Sequence, residues 1–239
     1  MIDVHDVKCT IGVKKANLTV GTGEVFGLLG PNGAGKSTLL SVLATLHKPT
    51  QGRVTVQGVD LIKQPKLVRP MIGYVPQDIA LWEHLTVKEN VRLWMGLAKS
   101  KRDKTSLLGL YEELGLSGLL HKKVRHLSGG MKRKLNLLVA LLHDPSVLLL
   151  DEPTVGIDLP AKHDINEWIT KRAKEGMTVL YTTHDMHEIL TVCTRFAMMS
   201  HGEITFTGTH EEAFNLANSQ SAKIETYEEA IFHLMRQSS

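Results

Sequence analysis

Two cysteines, Cys9 and Cys193, are all the thiol chemistry in 239 residues. They stand far apart with no ligand-spaced neighbour, which excludes a thiolate zinc site and fits a reducing compartment. Aromatic residues make up only 5% of the chain, so Leu, Val and Ile must do most of the core filling. Long apolar runs are missing too. None approaches the ~18 residues that a membrane span needs, and no leader segment opens the sequence; the chain reads as cytoplasmic. An excess of one charge is also lacking. The net charge of +3 is too mild for a nucleic-acid binder, and no nucleic-acid partner is expected. Lys and Arg do gather at residues 99–104, 121–126 and 131–134. These read as solvated faces, with an anionic membrane surface as the alternative.

What is present begins with an apolar content of 42%, ample for one large domain or two small ones. Short Val/Leu/Ile-rich stretches broken by Gly predict strands at 2–7, 16–20, 24–29, 53–56 and 71–75. A helical period runs over 36–46 and ends before Pro49. From 86 to 142 the texture turns helical. Thr86 and Glu89 form a capping box, and further helices are expected at 103–114 and 128–142. Strand character returns at 146–150, 177–183 and 196–199, with a helix at 160–174 between the first two. Strands alternating with helices imply a parallel α/β sheet, and the helices of 78–145 form an inserted lobe. Two more capping boxes, Thr209/Glu212 and Thr226/Glu229, open a short C-terminal helical tail.

The stretch GPNGAGKST, Gly30 to Thr38, lies between a strand and a helix and fits G-x-x-x-x-G-K-[ST]. The chemistry of that pattern is direct. Gly33 and Gly35 let backbone amides converge on phosphate oxygens, Lys36 reaches the β- and γ-phosphates, and the Ser37 hydroxyl suits Mg²⁺. A buried strand, SVLLL, then ends in Asp151 and Glu152, where parallel sheets bind ligands. Asp151 is placed for the Mg²⁺ shell and Glu152 for polarising a water as general base. His184, Asp185 and His187 could be imagined as a metal set, but zinc needs three or four ligands and His184 has a better role. A second anion-binding turn is the surprise. In HLSGGMKRKL, Ser128 reads as a helix N-cap, and Gly129 and Gly130 bare the amides of the turn it opens.

Together these motifs resemble the nucleotide-binding subunit of ABC transporters, over nearly the whole chain and in that family's order. The resemblance implies its fold: an α/β P-loop core with a mixed, mainly parallel sheet, an antiparallel N-terminal β subdomain and an inserted α-helical subdomain. It divides the chain into an ATPase domain at 1–208 (core 1–77 and 146–208, helical part about 78–145) and a tail at 209–239. It implies ATP and Mg²⁺ as ligands and ATP hydrolysis as the activity. LSGG looks like the family signature, which caps the ATP of a second subunit in a head-to-tail dimer; Ser128 and the Gly130 amide would then touch the γ-phosphate of the partner's nucleotide, with Gly129 between them in the binding turn. Gln77 resembles the Q-loop glutamine, a ligand to Mg²⁺ or water, and Asp158 the D-loop residue of the dimer interface. His184 resembles the switch histidine.

Three departures stand out. Ile11 occupies the place of the aromatic that stacks on adenine, in a segment about four residues shorter than usual, and predicts weaker or less adenine-selective binding. Met131 replaces the usual signature Gln, as is common in the export branch. Pro160 follows Leu159 rather than Asp158. The expected function is the ATPase subunit of a type-2 exporter, held at the inner face of the membrane by a separate permease and paired with a second copy, which the intact motifs favour, or with a related subunit. Ile79, Leu81 and Trp82 are the candidates for its coupling helix, or else pack within the lobe. A soluble relative such as an iron–sulfur assembly ATPase is the alternative. A non-hydrolysing regulator is disfavoured by the presence of Lys36, Asp151, Glu152 and His184.

Overall fold

The computed structural model describes residues 1–98, 102–220 and 224–237; of the basic cluster at 99–104, positions 99–101 lie outside them. Two sheets make the framework. The first is antiparallel, in the order β2-β1-β4-β5, with β1 at Ile2–Lys8, β2 at Ala16–Val20, β4 at Gln51–Val56 and β5 at Val59–Asp60. The second runs β10-β9-β3-β8-β7-β6. Its members are β3 (Val25–Leu29), β6 (Ile72–Val75), β7 (Val147–Asp151), β8 (Thr178–Thr183), β9 (Arg195–Ser200) and β10 (Glu203–Gly208). All its pairings are parallel except β9 with β10. The fold is therefore the mixed α/β architecture that the motifs imply.

The central strands are buried on both faces, and their side chains alternate between two cores. Val25 and Leu29 of β3, Leu148 and Leu150 of β7, and Val179 and Tyr181 of β8 face one side. Phe26 and Leu28, Val147 and Leu149, and Leu180 face the other. This second core is closed by α1 (Lys36–Leu43) and the antiparallel sheet; α2 (Pro65–Val68) is a single turn beside it.

The first core is covered by α3 (Val87–Ala98), α4 (Lys104–Glu113), α5 (Gly129–Ala140), α6 (Leu159–Lys174) and α7 (Met186–Val192). The two C-terminal helices, α8 (His210–Gln220) and α9 (Tyr227–Gln237), share it: Ala213, Ala217, Ala230, Ile231 and Leu234 lie buried with Val192 and Phe196. All three capping boxes close as the sequence implies. Thr86 and Glu89, Thr209 and Glu212, and Thr226 and Glu229 each exchange backbone-to-side-chain hydrogen bonds. No helix among the described residues is long and apolar enough to cross a membrane.

Sequence reading overlooks β5, α2, α7 and β10. Both missed strands follow two-residue hairpins with both central residues at positive φ, at Gln57-Gly58 and His201-Gly202. That is the type I′ geometry whose backbone twist matches the strands it joins. β10 is an edge strand with only alternate residues half-buried, so its apolar signal is weak.

Candidate active site

Four neighbouring parallel strands release their carboxyl ends at one edge. Leu29 pairs with Thr183, Asp151 with Thr182, and Val75 with Leu150. The P-loop after β3, the acids at the end of β7, the switch segment after β8 and Gln77 beyond β6 thus emerge side by side, as the topology of open α/β sheets requires.

The loop from Gly30 to Gly35 holds Gly33 at φ 81° and Gly35 at φ 109°. At Gly35 a side chain would collide with the Gly12 carbonyl, so the turn into α1 is both left-handed and tightly packed. Ala34 is buried, while Pro31, Asn32 and Gly33 stand exposed and Thr38 follows in the first turn of α1. Lys36 folds back over the loop and donates to the carbonyls of Gly30 at 2.6 Å and Pro31 at 3.1 Å. Burial holds its ammonium below its ordinary pKa, although Glu152 opposes that shift.

Glu152 lies between two bases. Its Oε1 is 3.5 Å from Lys36 Nζ, and its Oε2 is 3.3 Å from His184 Nδ1. The Glu152 backbone stands at φ 45°, unusual for a residue with a side chain. Such conformations cost about 1–3 kcal/mol and persist only where surroundings enforce them. Here the enforcing partner is Thr182, whose hydroxyl accepts the Glu152 N–H at 3.0 Å and donates to Asp151 Oδ1 at 2.8 Å.

Ser37 Oγ donates to the same Asp151 oxygen at 3.1 Å. A hydroxyl and a buried carboxylate, close together and both oxygen donors, fit the preference of Mg²⁺ for hard ligands. Gln77, two residues beyond the end of β6, is exposed, with its backbone carbonyl taken by Arg133.

The signature turn gathers different neighbours. Ser128 caps α5, its Oγ accepting from Met131 N at 3.3 Å. Asp158 caps α6, its Oδ1 accepting from Ala161 N at 3.2 Å. The two caps lie together: a methyl group on Gly130 would meet Ala161 and Asp158, and one on Gly129 would touch Gly156 and Ile157. Among the described residues no hydrogen bond or ion pair runs directly from Ser128, Gly129, Gly130 or Asp158 to the P-loop. The site residues thus fall into two groups. Lys36, Ser37, Asp151, Glu152 and His184 converge; the signature and Asp158 form a second surface, with Leu159 79% exposed beside them.

Ile11 is 80% exposed on the loop joining β1 to β2, one residue before the Gly12 that abuts Gly35. His184, Asp185 and His187 do not form a metal set. His184 faces Glu152, while Asp185 caps α7 and pairs with Lys162 at 2.7 Å. Of the three candidates for the permease contact, Ile79 and Leu81 are half-buried and Trp82 is 37% exposed. The Trp82 ring lies 5.3 Å from Trp94, tilted by 48°.

Two residues with structural reach were not singled out from sequence. Thr182 bridges both acids; its only signal is the pair of adjacent threonines that closes a largely apolar strand. Arg133, buried in α5, donates to the carbonyls of Pro76 at 2.8 Å and Gln77 at 2.7 Å, tying α5 to the segment that follows β6.

A profile of the ABC transporter family matches residues 13–155. The chain belongs to the ABC transporter family. It is similar to the linearmycin resistance ATP-binding protein LnrL of Bacillus subtilis (strain 168), at 39% identity over 216 residues, covering 87% of this chain and 69% of that protein. It is 39% identical over 208 residues to the Nod factor export ATP-binding protein I of Rhizobium sp. (strain N33), covering 84% and 68%. Among solved structures, an ATP-binding subunit of an ABC transporter superposes with TM-score 0.86 at 27% identity, covering 98% of this chain and 99% of that one. The dimeric ATP-binding cassette MJ0796, in a post-hydrolysis state with ADP and Pi, superposes with TM-score 0.78 at 27% identity, covering 87% and 98%. The ABC chain described here is an ATP-binding subunit with ATPase chemistry, built on the P-loop fold of that family.

Proposed function

We propose that this chain is the motor subunit of an exporter and acts as a head-to-tail pair, most simply a homodimer, bound to separate permease subunits. In this reading the core spans 1–77 and 146–208, the helical lobe about 78–145, and the C-terminal helices 209–239. The convergence of Lys36, Ser37, Asp151, Glu152 and His184 is the observation that carries the ATPase half. The two-surface arrangement of the site residues and the dimeric relative support the pairing. The export and resistance proteins among its relatives support the direction, and they disfavour an iron–sulfur assembly role. The protein would then sit at the cytoplasmic face of the membrane through its permease.

The P-loop amides and Lys36 hold the β- and γ-phosphates, whose negative charge offsets the penalty that burial places on the Lys36 ammonium. Ser37 and Asp151, with Gln77, would hold Mg²⁺, which when bound neutralises charge on the phosphate oxygens. Glu152 takes a proton from the attacking water, and its Lys36 and His184 neighbours fix the carboxylate's direction. Ser128, Gly129 and Gly130 present helix-terminal donors to the γ-phosphate of the second copy, with Asp158 at the seam. Ile11 supplies only aliphatic packing to the base.

Glu152→Gln keeps the shape and removes the base. Hydrolysis should fall by at least ~100-fold while ATP binding persists, and size-exclusion chromatography with ATP should show a dimer. A variant that stays monomeric at saturating ATP would overturn the composite-site reading.

A further inference from the structure

A second polar cluster lies buried where α6 and α7 pack on β8. Glu188, in the first turn of α7, is 2% exposed, yet both oxygens of its carboxylate are engaged. Oε2 accepts from the Thr183 hydroxyl at 2.5 Å. Oε1 accepts from the Thr154 hydroxyl and faces Lys162 Nζ at 2.8 Å. Thr183 Oγ1 in turn accepts the Asp185 amide at 3.0 Å, and Asp185 takes the same Lys162 ammonium. Thr154 Oγ1 is also 3.2 Å from the Tyr181 hydroxyl, which donates to Asn166 of α6.

These partners sit beside the site groups in sequence. Thr183 immediately precedes His184, Thr154 follows Glu152 by two residues, and Lys162 lies in the first turn of α6, the helix capped by Asp158. We propose that Glu188 is a positioning residue, fixing through Thr183, Thr154 and Lys162 the mutual placement of His184, Glu152 and the Asp158 end of α6. It touches none of the reacting atoms. The proposal rests on the reading of Glu152 and His184 as the hydrolytic groups.

The chemistry of the cluster explains why a carboxylate is needed. Glu188 only accepts, and three donors converge on it: two hydroxyls and an ammonium. Burial would make a charge here costly without that set, and Lys162 supplies the counter-charge. Burial alone would lower the Lys162 pKa, but the hydrogen bonds and charges of Asp185 and Glu188 raise it above its ordinary value. An isosteric amide cannot satisfy the same donors. With its oxygen kept toward Lys162 and Thr154, its NH₂ must face Thr183, and the Thr183 hydroxyl loses its acceptor. Glu188→Gln therefore loosens the arm leading to His184 first.

The test compares Glu188→Gln, Thr183→Val and their combination in steady-state ATPase assays, with melting curves alongside. Each single variant should lower kcat about tenfold to a hundredfold, as sub-ångström misplacement does, and leave KM for ATP within about twofold. The double variant should be no slower than the worse single one, since both cut the same arm. A kcat within twofold of the parent at a temperature where the variant is folded would overturn the proposal, and so would losses that multiply. If Glu188→Gln fails to fold, Thr183→Val alone decides on the same kcat criterion. Parallel assays of Glu152→Gln and His184→Ala separate the two levels. Hydrolysis surviving in those variants sinks the underlying reading, whereas normal kcat in the Glu188 and Thr183 variants sinks only the positioning role.

Discussion

Gly130 faces the Ala161 methyl across the junction of α5 and α6, so an added side chain there has no free volume. Two effects of Gly130→Ala oppose each other. Ala is the better helix former by up to about 1 kcal/mol, but overpacking a tight contact costs about 1–3 kcal/mol. Overpacking should win. Urea denaturation should give a lower midpoint, by a net ~1 kcal/mol, and a raised midpoint would show that α6 yields. Position 130 also shows what could and could not be read from sequence. The glycine pair beside a capping serine is visible there, as is the anion-binding chemistry it offers. That Ala161 is what forbids a side chain emerges only when two helices meet. The same holds for Thr182, Arg133 and Glu188, whose partners are distant in the chain and whose roles lie in joining motifs rather than in being one.

Among the elements, the docking of α8 depends on a histidine. His210 stacks on Phe196 with centroids 5.6 Å apart, lies 6.3 Å from Tyr227, and has Nε2 3.2 Å from the Ile189 carbonyl. Burial lowers its pKa below the ordinary 6.5, with the Ile189 carbonyl opposing the shift more weakly. The folded protein therefore prefers the neutral ring, and the unfolded chain takes up the proton first. His210's stabilising share is complete above pH 6.5 and is lost as pH falls through 6.5 toward the lower folded value. Melting temperature should drop between about pH 7.5 and 5.5, and His210→Phe should flatten that dependence. A slope unchanged by the substitution would assign the effect elsewhere. The elements that sequence missed were short or half-exposed: β5 has two residues, α2 four and α7 seven, and β10 lies at a sheet edge. Elements with a full apolar face or a capping box were legible, because their signals are local.

For the whole molecule, the proposed coupling to a permease makes a separable prediction. Trp82 packs on Trp94, is partly exposed, and is not among the residues converging on Glu152. Trp82→Ala should leave basal ATPase within about twofold while abolishing transport in cells that express the permease. Unchanged transport would remove Trp82 from the docking face. The two groups of residues also stand on differently anchored ground. Asp151 ends a strand with all five residues buried and neighbours hydrogen-bonded on both sides, whereas Ser128, Gly129 and Asp158 are exposed at helix starts. Amides of β7 and β8 should therefore exchange with deuterated solvent only through global opening, those at the two caps through local fraying. Isotope uptake followed by mass spectrometry would then see the strand that ends in Asp151 as the slowest-labelling part of the protein, and the caps at Ser128 and Asp158 as among the fastest.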